Sequence, residues 1–201
     1  MSQGDDDATL RQRWNAGDER AGRALFRRHA PGVLRFFRSK LPGSAEDLTQ
    51  EVFARFLRDR RDDVMVRPFL FGIARNVLRE ELRRRRGPGD APMTSIADLG
   101  AVGSTRLHQR QRLLRALQVL PVDQQIAIEL HYWEGFTSDE LGATLGISAS
   151  AARSRLELAR ERLRASLCKA FPKRPAHAFD DLEAWSREIA EAIAGRVDVD
   201  P

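Results

Sequence analysis

The sequence predicts an all-α protein: two small helical domains joined by a flexible linker, with a helix-turn-helix in the second domain and an amphipathic helix at the C-terminus. Nearly every segment with a hydrophobic period has the helical one, and no alternating strand pattern is longer than a few residues. Glycines and prolines concentrate around residues 87–103, which favours two domains over one. The predicted ranges are 1–86 for the first domain, 87–104 for the linker, 105–170 for the second domain and 171–201 for an acidic extension.

The first domain is predicted to contain three helices. Asp18 can cap the first, which runs to about Leu41 and is kinked or broken near Pro31. Ser44, with an acid three residues later, resembles a capping box that opens the second helix. The third helix starts around Pro68, a residue type that the first turn of a helix tolerates, and it ends in a run of arginines.

A helix-turn-helix pattern fills residues 137–163 of the second domain. Thr137 can cap a first helix that Gly146 ends, and Ser148 can cap a second helix that begins with small, polar and cationic residues. Such a helix start can enter a DNA major groove while its backbone amides face phosphate. An ordinary helical hairpin has the same pattern, so the motif alone leaves both interpretations open.

The extension from residue 171 onward carries seven acids and four bases. Asp180 and Glu183 indicate the start of a helix, and Gly195 indicates its end. One face of this helix is apolar and consists of Leu182, Trp185, Ile189 and Ile193. Because an apolar stripe of that size is unfavourable in water, one hypothesis is that this face folds back on one of the two domains and tunes the access of that domain to its partners. A helix that only stabilises its domain is the alternative.

Composition points to a polyanionic partner and to a reducing compartment. The formal net charge of +5 and the pI of about 10.2 are most simply matched by nucleic acid. The single cysteine, Cys168, cannot form an internal disulfide. The N-terminus lacks the apolar core of a secretory signal, and no apolar run approaches the roughly 18 residues of a membrane span. We therefore expect a cytoplasmic protein without membrane insertion.

The residue patterns of metal sites and of enzymes are missing from the sequence. The histidines are scattered without metal-ligand spacing, and no glycine-rich phosphate loop or nucleophile elbow occurs. We therefore expect no metal, no cofactor and no enzymatic activity. The four histidines are His29, His108, His131 and His177.

Three motifs, in order along the chain, resemble bacterial sigma factors of the extracytoplasmic-function type in the sigma-70 family. They are AEDLTQEVFARFL at 45–57, RPFLFGIARNVLREELRR at 67–84 and the helix-turn-helix. The resemblance covers about residues 10–168 and implies an alternative sigma factor that directs promoter-specific transcription initiation. It implies that the first domain binds the RNA polymerase core and recognises and melts the promoter −10 element, while the second reads the −35 element.

The resemblance also implies partners and site residues. The partners are the RNA polymerase core, through its β′ clamp helices and β flap, and promoter DNA, while an anti-sigma protein remains an open possibility. The polymerase-binding residues are Asp47, Gln50, Glu51 and Arg55. The −10 residues are Phe69, Phe71, Arg75, Asn76, Arg79, Glu80, Arg83 and Arg84. The −35 residues are Ser148, Ser150, Arg153, Ser154 and Arg155.

The −10 residue types suit strand separation, since unpaired bases need stacking surfaces and the displaced strand needs cations. Phe69 stands where the family often has tryptophan, and both Phe69 and Phe71 fit core packing better than base stacking. Ala151 and Ala152 replace a threonine-valine pair common in the family, which removes one hydroxyl from the recognition helix.

Two other functions remain as alternatives. A helix-turn-helix regulator that acts without polymerase would leave residues 44–86 unexplained. A sigma mimic that only sequesters an anti-sigma protein would have no need for the basic surface at residues 79–86, and we expect no receiver-like domain with this chain.

Overall fold

The computed structural model describes residues 5–86, 114–173 and 181–194, and within those ranges it contains helices and no β-strand. The all-α prediction is confirmed there. The chain divides into two compact units, Met1–Arg85 and Arg86–Pro201. The predicted linker at 87–104 lies outside the described residues.

The first unit has four α-helices among its described residues. They are α1 (Asp7–Asn15), α2 (Glu19–Arg38), α3 (Ala45–Arg58) and α4 (Val66–Arg86), with a 3₁₀ turn at Pro42–Ser44. Helix α1 was not predicted from the sequence. Its N-cap is Asp6, whose carboxylate accepts a hydrogen bond from the Thr9 amide at 2.8 Å.

Helix α2 begins at the predicted cap, since the Asp18 carboxylate accepts from the Arg20 amide at 2.9 Å. Of the kink or break predicted at Pro31, the break is wrong, because α2 continues through this proline to Arg38. Proline removes only one backbone donor, whereas Leu25 and Phe37 are both fully buried on either side of it. Core packing therefore holds the two halves in one helix.

The capping box predicted at Ser44 is also wrong. Ser44 ends the 3₁₀ turn and its side chain makes no cap hydrogen bond to the start of α3. The Ser44 hydroxyl instead accepts from Nη2 of Arg85 at 2.7 Å, which ties the start of α3 to the end of α4. The hydroxyl is thus used between helices and not within one.

Phenylalanine rings fill much of the core of the first unit. Phe36, Phe37, Phe56 and Phe71 are at most 2% exposed. The Phe36 ring meets those of Phe37 and Phe71 edge to face, with centroids 5.2 and 5.9 Å apart. This packing fixes α4 against α2, so the exposed face of α4 has a defined direction.

In the second unit, residues 114–118 are helical and are followed by α5 (Val122–Tyr132), α6 (Ser138–Leu145) and α7 (Ala149–Ala170). The predicted helix-turn-helix is confirmed. Thr137 forms a capping box with Glu140, and Gly146 ends α6 with φ 70°. A Cβ at Gly142 would lie 2.8 Å from the Ile147 carbonyl oxygen, so glycine lets the turn pass close to α6.

The C-terminal helix α8 (Leu182–Ala194) packs on the second unit. Trp185 is 3% exposed and its ring lies edge to face with Phe171, with centroids 6.4 Å apart. Nε1 of Trp133 donates to the Ser186 carbonyl oxygen at 2.9 Å. The expectation that this helix folds back on a domain is confirmed.

The start of α8 differs from the prediction. Its first turn is capped by Asp181, which accepts from the Ala184 amide at 2.9 Å. Asp180, Gly195 and the side chains of Ile189 and Ile193 lie outside the described residues. Among the helices that the structure describes, none is long and apolar enough to cross a membrane.

Candidate functional site

Helix α3 presents an acidic and amide-bearing face to solvent. Asp47, Gln50 and Glu51 are exposed, and their spacing of three and four residues places them on one side of the helix. The opposite side buries Val52 and Phe56. The structure therefore brings together these three predicted polymerase-binding residues on a surface that the core holds in place.

Arg55 connects this face to α4. Its Nε donates to Glu51 at 2.7 Å, and Nη1 and Nη2 donate to the two carboxylate oxygens of Glu80 at 3.1 and 2.8 Å. The hydrogen bonds from Arg55 lower the pKa of Glu80, and those to Glu80 and Glu51 raise the pKa of Arg55. Arg55 and Glu80 thus join the predicted polymerase and −10 surfaces through one bidentate ion pair.

The two predicted −10 phenylalanines occupy different environments. Phe71 is 2% exposed and lies in the core, so its ring offers no face to a base in this structure. Phe69 is half-buried; the Arg61 guanidinium lies 4.5 Å from its ring centroid and the Phe56 centroid 6.0 Å away. Only Phe69 remains available as a stacking surface.

The outer face of α4 is polar and mainly cationic. Asn76, Arg79, Glu80 and Arg83 are exposed at positions separated by three or four residues, which form one continuous helix face. Arg75 is half-buried. These residues make a mainly cationic strip along the helix, and the predicted −10 residues Asn76, Arg79, Glu80 and Arg83 lie on it.

Arg84 and its neighbour Arg85 are both held by Glu81, which was not among the predicted site residues. Glu81 is 8% exposed, and it accepts from Nε of Arg84 at 2.8 Å and from Nε of Arg85 at 2.7 Å. The hydrogen bond from Arg84 lowers the Glu81 pKa, against the opposing effect of burial. The two acids followed by four arginines in EELRRRR were visible in the sequence, but the partner of each arginine was not.

Helix α7 presents the predicted −35 residues at its N-terminus. Ser148 is the N-cap, accepting from the Ala151 amide at 3.2 Å, and its hydroxyl lies 3.0 Å from that of Ser150. Arg153 and Ser154 are exposed. The exposed helix start combines hydroxyls, cations and the positive end of the helix dipole.

Arg155 belongs to this predicted −35 surface and also contacts α5. Its side chain is 31% exposed, and Nη1 lies 3.5 Å from the Asp123 carboxylate. Further along α7, Arg160 donates to the Tyr132 hydroxyl at 2.9 Å and Arg162 to the Gln124 side chain at 3.1 Å. The later arginines of α7 therefore anchor it on α5, while the first turns face outward.

Arg61 was not selected from the sequence, although it covers one face of Phe69. The only signal was the charged stretch at 58–63 ahead of α4, which does not reveal contact with an aromatic ring.

Among the described residues no group of three histidine, cysteine or carboxylate side chains could hold a metal ion. His29, a buried histidine, lies with Nε2 2.8 Å from the Asp7 carboxylate.

Both units match known protein families. The Sigma-70 region 2 family matches residues 25–87, which includes the exposed faces of α3 and α4. The Sigma-70 region 4 family matches residues 110–163, which includes the helix-turn-helix. Helices α1 and α8 lie outside both matched segments.

Curated relatives and solved structures agree with these matches. The chain is 35% identical over 161 residues to the RNA polymerase sigma factor CarQ of Myxococcus xanthus, covering 76% of this chain and 92% of CarQ. It is 30% identical over 162 residues to the ECF sigma factor SigM of Mycobacterium tuberculosis, covering 78% of this chain and 82% of SigM.

Two similar structures were solved as complexes, and each is 26% identical to this chain. The match to CnrH, solved with the cytosolic domain of CnrY, has a TM-score of 0.62 and covers 81% of this chain and 97% of the CnrH chain. The match to the sigma factor RpoE of Bartonella quintana, solved with the anti-sigma factor NepR, has a TM-score of 0.56 and covers 72% of this chain and 95% of the RpoE chain.

Proposed function

Because the chain belongs to the sigma-70 family of bacterial RNA polymerase sigma factors, in the extracytoplasmic-function group, we propose a division of labour between its two units. As a member of this family it is a transcription initiation factor that binds RNA polymerase and directs promoter-specific initiation. The domain at 1–86 docks on the polymerase core and opens the −10 element, and the domain at 105–170 reads the −35 element. The protein itself has no catalytic activity, and it acts in the cytoplasm.

The polymerase-docking surface is the exposed face of α3. Asp47, Gln50 and Glu51 offer two carboxylates and an amide on a rigid helix, which suits a helical partner with cationic and hydrogen-bonding side chains. The proposed partner is the pair of β′ clamp helices. Arg55 stabilises the edge of this surface by holding Glu51 and Glu80, so it acts by positioning.

The −10 surface is the outer face of α4. Asn76, Arg79 and Arg83 lie where they can contact unpaired bases and their phosphates, and Phe69 supplies a stacking ring. Phe71 is not part of the proposed −10 surface because it is buried, and Glu80 is not part of it because it pairs with Arg55. Arg75 and Arg84 flank the strip and add positive charge beside the displaced strand.

The −35 surface is the start of α7. Ser148, Ser150 and Ser154 can bind phosphate or base edges, and Arg153 and Arg155 carry forked donors that match a guanine edge. The helix-turn-helix geometry carries this assignment, because it leaves the first turns of α7 exposed while its later arginines bind α5. The second domain is also proposed to contact the β flap.

Transcription in vitro with purified core enzyme and a promoter library tests the proposed function. Promoter-dependent transcripts are expected only when the chain is added to core, because core alone has no promoter specificity. Omission of the chain is the control. The absence of any promoter-dependent transcript with folded protein and no inhibitor present would contradict the proposal.

An anti-sigma protein is a further proposed partner. The support comes from the similar RpoE chain, which was solved with the anti-sigma factor NepR. Such a partner should suppress transcription in the assay above in proportion to its concentration. A bound protein that leaves transcription unchanged would not be an anti-sigma factor.

A further inference from the structure

Helix α1 binds the backbone at the end of α3 through a buried arginine. Arg11 is fully buried, and its guanidinium donates to the carbonyl oxygens of Phe56 at 2.9 Å, Asp59 at 2.6 Å and Arg61 at 3.2 Å. The same guanidinium lies 4.4 Å from the centroid of the Phe56 ring. It thus satisfies one carbonyl in the last turn of α3 and two in the segment that follows the helix.

Two other residues of α1 extend this contact. Nε1 of Trp14 donates to the Leu57 carbonyl oxygen at 3.1 Å, and Nδ2 of Asn15 donates to that of Arg60 at 2.8 Å. Side chains of α1 therefore bind the carbonyls of residues 56, 57, 59, 60 and 61. We call the set Arg11, Trp14 and Asn15 the α1 clamp.

The clamp reaches Phe69 through two charged side chains. Nη2 of Arg11 lies 3.3 Å from Oδ1 of Asp59, and the Asp59 carboxylate accepts from Nε of Arg61 at 3.0 Å. The Arg61 guanidinium in turn lies 4.5 Å from the centroid of the Phe69 ring. A fully buried cation in α1 is therefore connected, contact by contact, to the aromatic ring of the proposed −10 surface.

We propose that the α1 clamp positions the segment 59–62 so that Arg61 stays against Phe69, and that promoter strand separation depends on this placement. Arg11 is a positioning residue, since it acts on Phe69 through Asp59 and Arg61. The inference rests on the proposed function of the α4 surface. It adds α1, which lies outside the segment that matches region 2, to the machinery that opens DNA.

The physical reason lies in the geometry of the guanidinium. A lysine in place of Arg11 keeps the charge but has a single ammonium, which cannot bind three separated carbonyls and stack on Phe56 together. The segment 59–62 would then lose its fixed path, and Arg61 would no longer be held over Phe69. The α1 clamp binds carbonyls between Phe56 and Arg61, away from the exposed Asp47, Gln50 and Glu51 of α3, so docking on polymerase should be retained.

Arg11→Lys in the full chain, assembled with core enzyme, tests the inference. Permanganate reactivity of unpaired thymines measures opening of a duplex promoter, and a promoter with a pre-melted −10 bubble bypasses that step. We expect opening of the duplex promoter to fall about tenfold, affinity for core to stay within about twofold, and activity on the bubble promoter to match wild type. The matched control is Arg13→Lys, an exposed arginine of the same helix that pairs with Asp18 at 2.6 Å.

Arg61→Ala provides a second variant that leaves the clamp residues in place, should Arg11→Lys fail to fold. It should reproduce the loss on duplex DNA and the recovery on the bubble. Wild-type opening by either folded variant, or an equal loss on duplex and bubble promoters, would overturn the inference. If wild-type protein itself gave no promoter-dependent transcript, the proposed function would fail instead, so the two failures are distinguishable.

Discussion

At the scale of single residues, the arginines of this chain perform two different tasks. Arg11, Arg55 and Arg160 have their guanidinium groups bound within their own unit. Arg83 and Arg153 instead lie exposed on the outer faces of α4 and α7. Net charge alone does not separate these tasks, because a guanidinium that caps carbonyls contributes as much charge as one that faces DNA.

Arg153→Ala should weaken −35 recognition. Loss of a bidentate contact to a guanine edge is expected to cost about 1–3 kcal/mol and to relax base preference at that position. Holoenzyme affinity for promoters with each −35 base substituted measures both effects. Arg23→Ala removes the same charge from an exposed pair with Glu19 in the first unit and should leave the base preference unchanged. An unaltered −35 base preference in the Arg153→Ala variant would show that Arg153 does not read the −35 element.

Glu81 should make the first unit sensitive to acid. The hydrogen bond from Arg84 lowers its pKa below the ordinary value of 4.5, so the folded state favours the carboxylate. A lowered pKa stabilises the fold above the ordinary pKa, and this stabilisation is lost as pH falls through the lowered value. Glu81→Gln should therefore be less stable than wild type at pH 7, and the difference should shrink below about pH 4.

Urea unfolding at several pH values measures that difference. Glu19→Gln is the control, because Glu19 is an exposed carboxylate with a single arginine partner in α2. A stability difference between wild type and Glu81→Gln that stayed constant with pH would show that the Glu81 charge is not what stabilises the unit.

At the scale of elements, helices α3 and α4 of the first unit each have one face in the core and another face that is proposed to bind a partner. The apolar side of α3 buries Phe56, and the other side carries the proposed docking residues. Packing of Phe71 in the core orients α4 so that its cationic side faces outward. Phenylalanine packing therefore fixes the direction of both proposed surfaces.

Alanine at Asp47, Gln50 and Glu51 together should weaken association with polymerase core. These exposed side chains make little contact with the core of the first unit, so the free energy of unfolding should change by less than about 1 kcal/mol. We expect at least a tenfold loss of affinity, or about 1.4 kcal/mol. Binding of labelled chain to purified core measures the affinity, and Glu19→Ala on α2 is the control. Affinity equal to wild type would show that the docking face lies elsewhere.

Trp185→Ala tests the role of α8. Its ring is buried against Phe171, so truncation should destabilise the second unit by about 3 kcal/mol, a typical cost for a buried tryptophan. Thermal unfolding measures this loss, and Glu183→Ala, an exposed change on the same helix, is the control.

Transcription by a chain without residues 172–201 then separates a stabilising role of α8 from a role in tuning polymerase or promoter access. Unchanged initiation with lower stability would leave α8 as a stabilising helix only.

At the scale of the whole molecule, the sequence predicted patterns that are local and missed those that depend on distant contacts. The caps at Asp18 and Thr137 follow from neighbouring residues, so both could be predicted. Helix α1 was missed although Asp6 caps it locally, because its apolar period is weak and because side chains such as Arg11 hold it to carbonyls more than 40 residues away. The same reason explains Ser44, whose partner is Arg85 in another helix.

The candidate surfaces follow the same rule. Helical spacing predicts that Asp47, Gln50 and Glu51 share a face, and the structure brings them together. Spacing cannot show that Phe71 is buried while Phe69 is half-exposed, since that depends on the direction of α4 against α2. Nor can it show Arg61 over Phe69, because the contact depends on the path of the segment between α3 and α4.

The complete chain should depend on polymerase for promoter binding, and this prediction separates a sigma factor from a conventional helix-turn-helix regulator. Such a regulator dimerises and shifts duplex DNA alone, because two recognition helices must meet successive grooves. A single −35 surface and a −10 surface that needs unpaired bases give one chain little affinity for closed duplex. We expect a monomer by gel filtration and a promoter shift only with core present. A dimer that shifts the same duplex without core would favour the regulator, whatever the chain does in transcription.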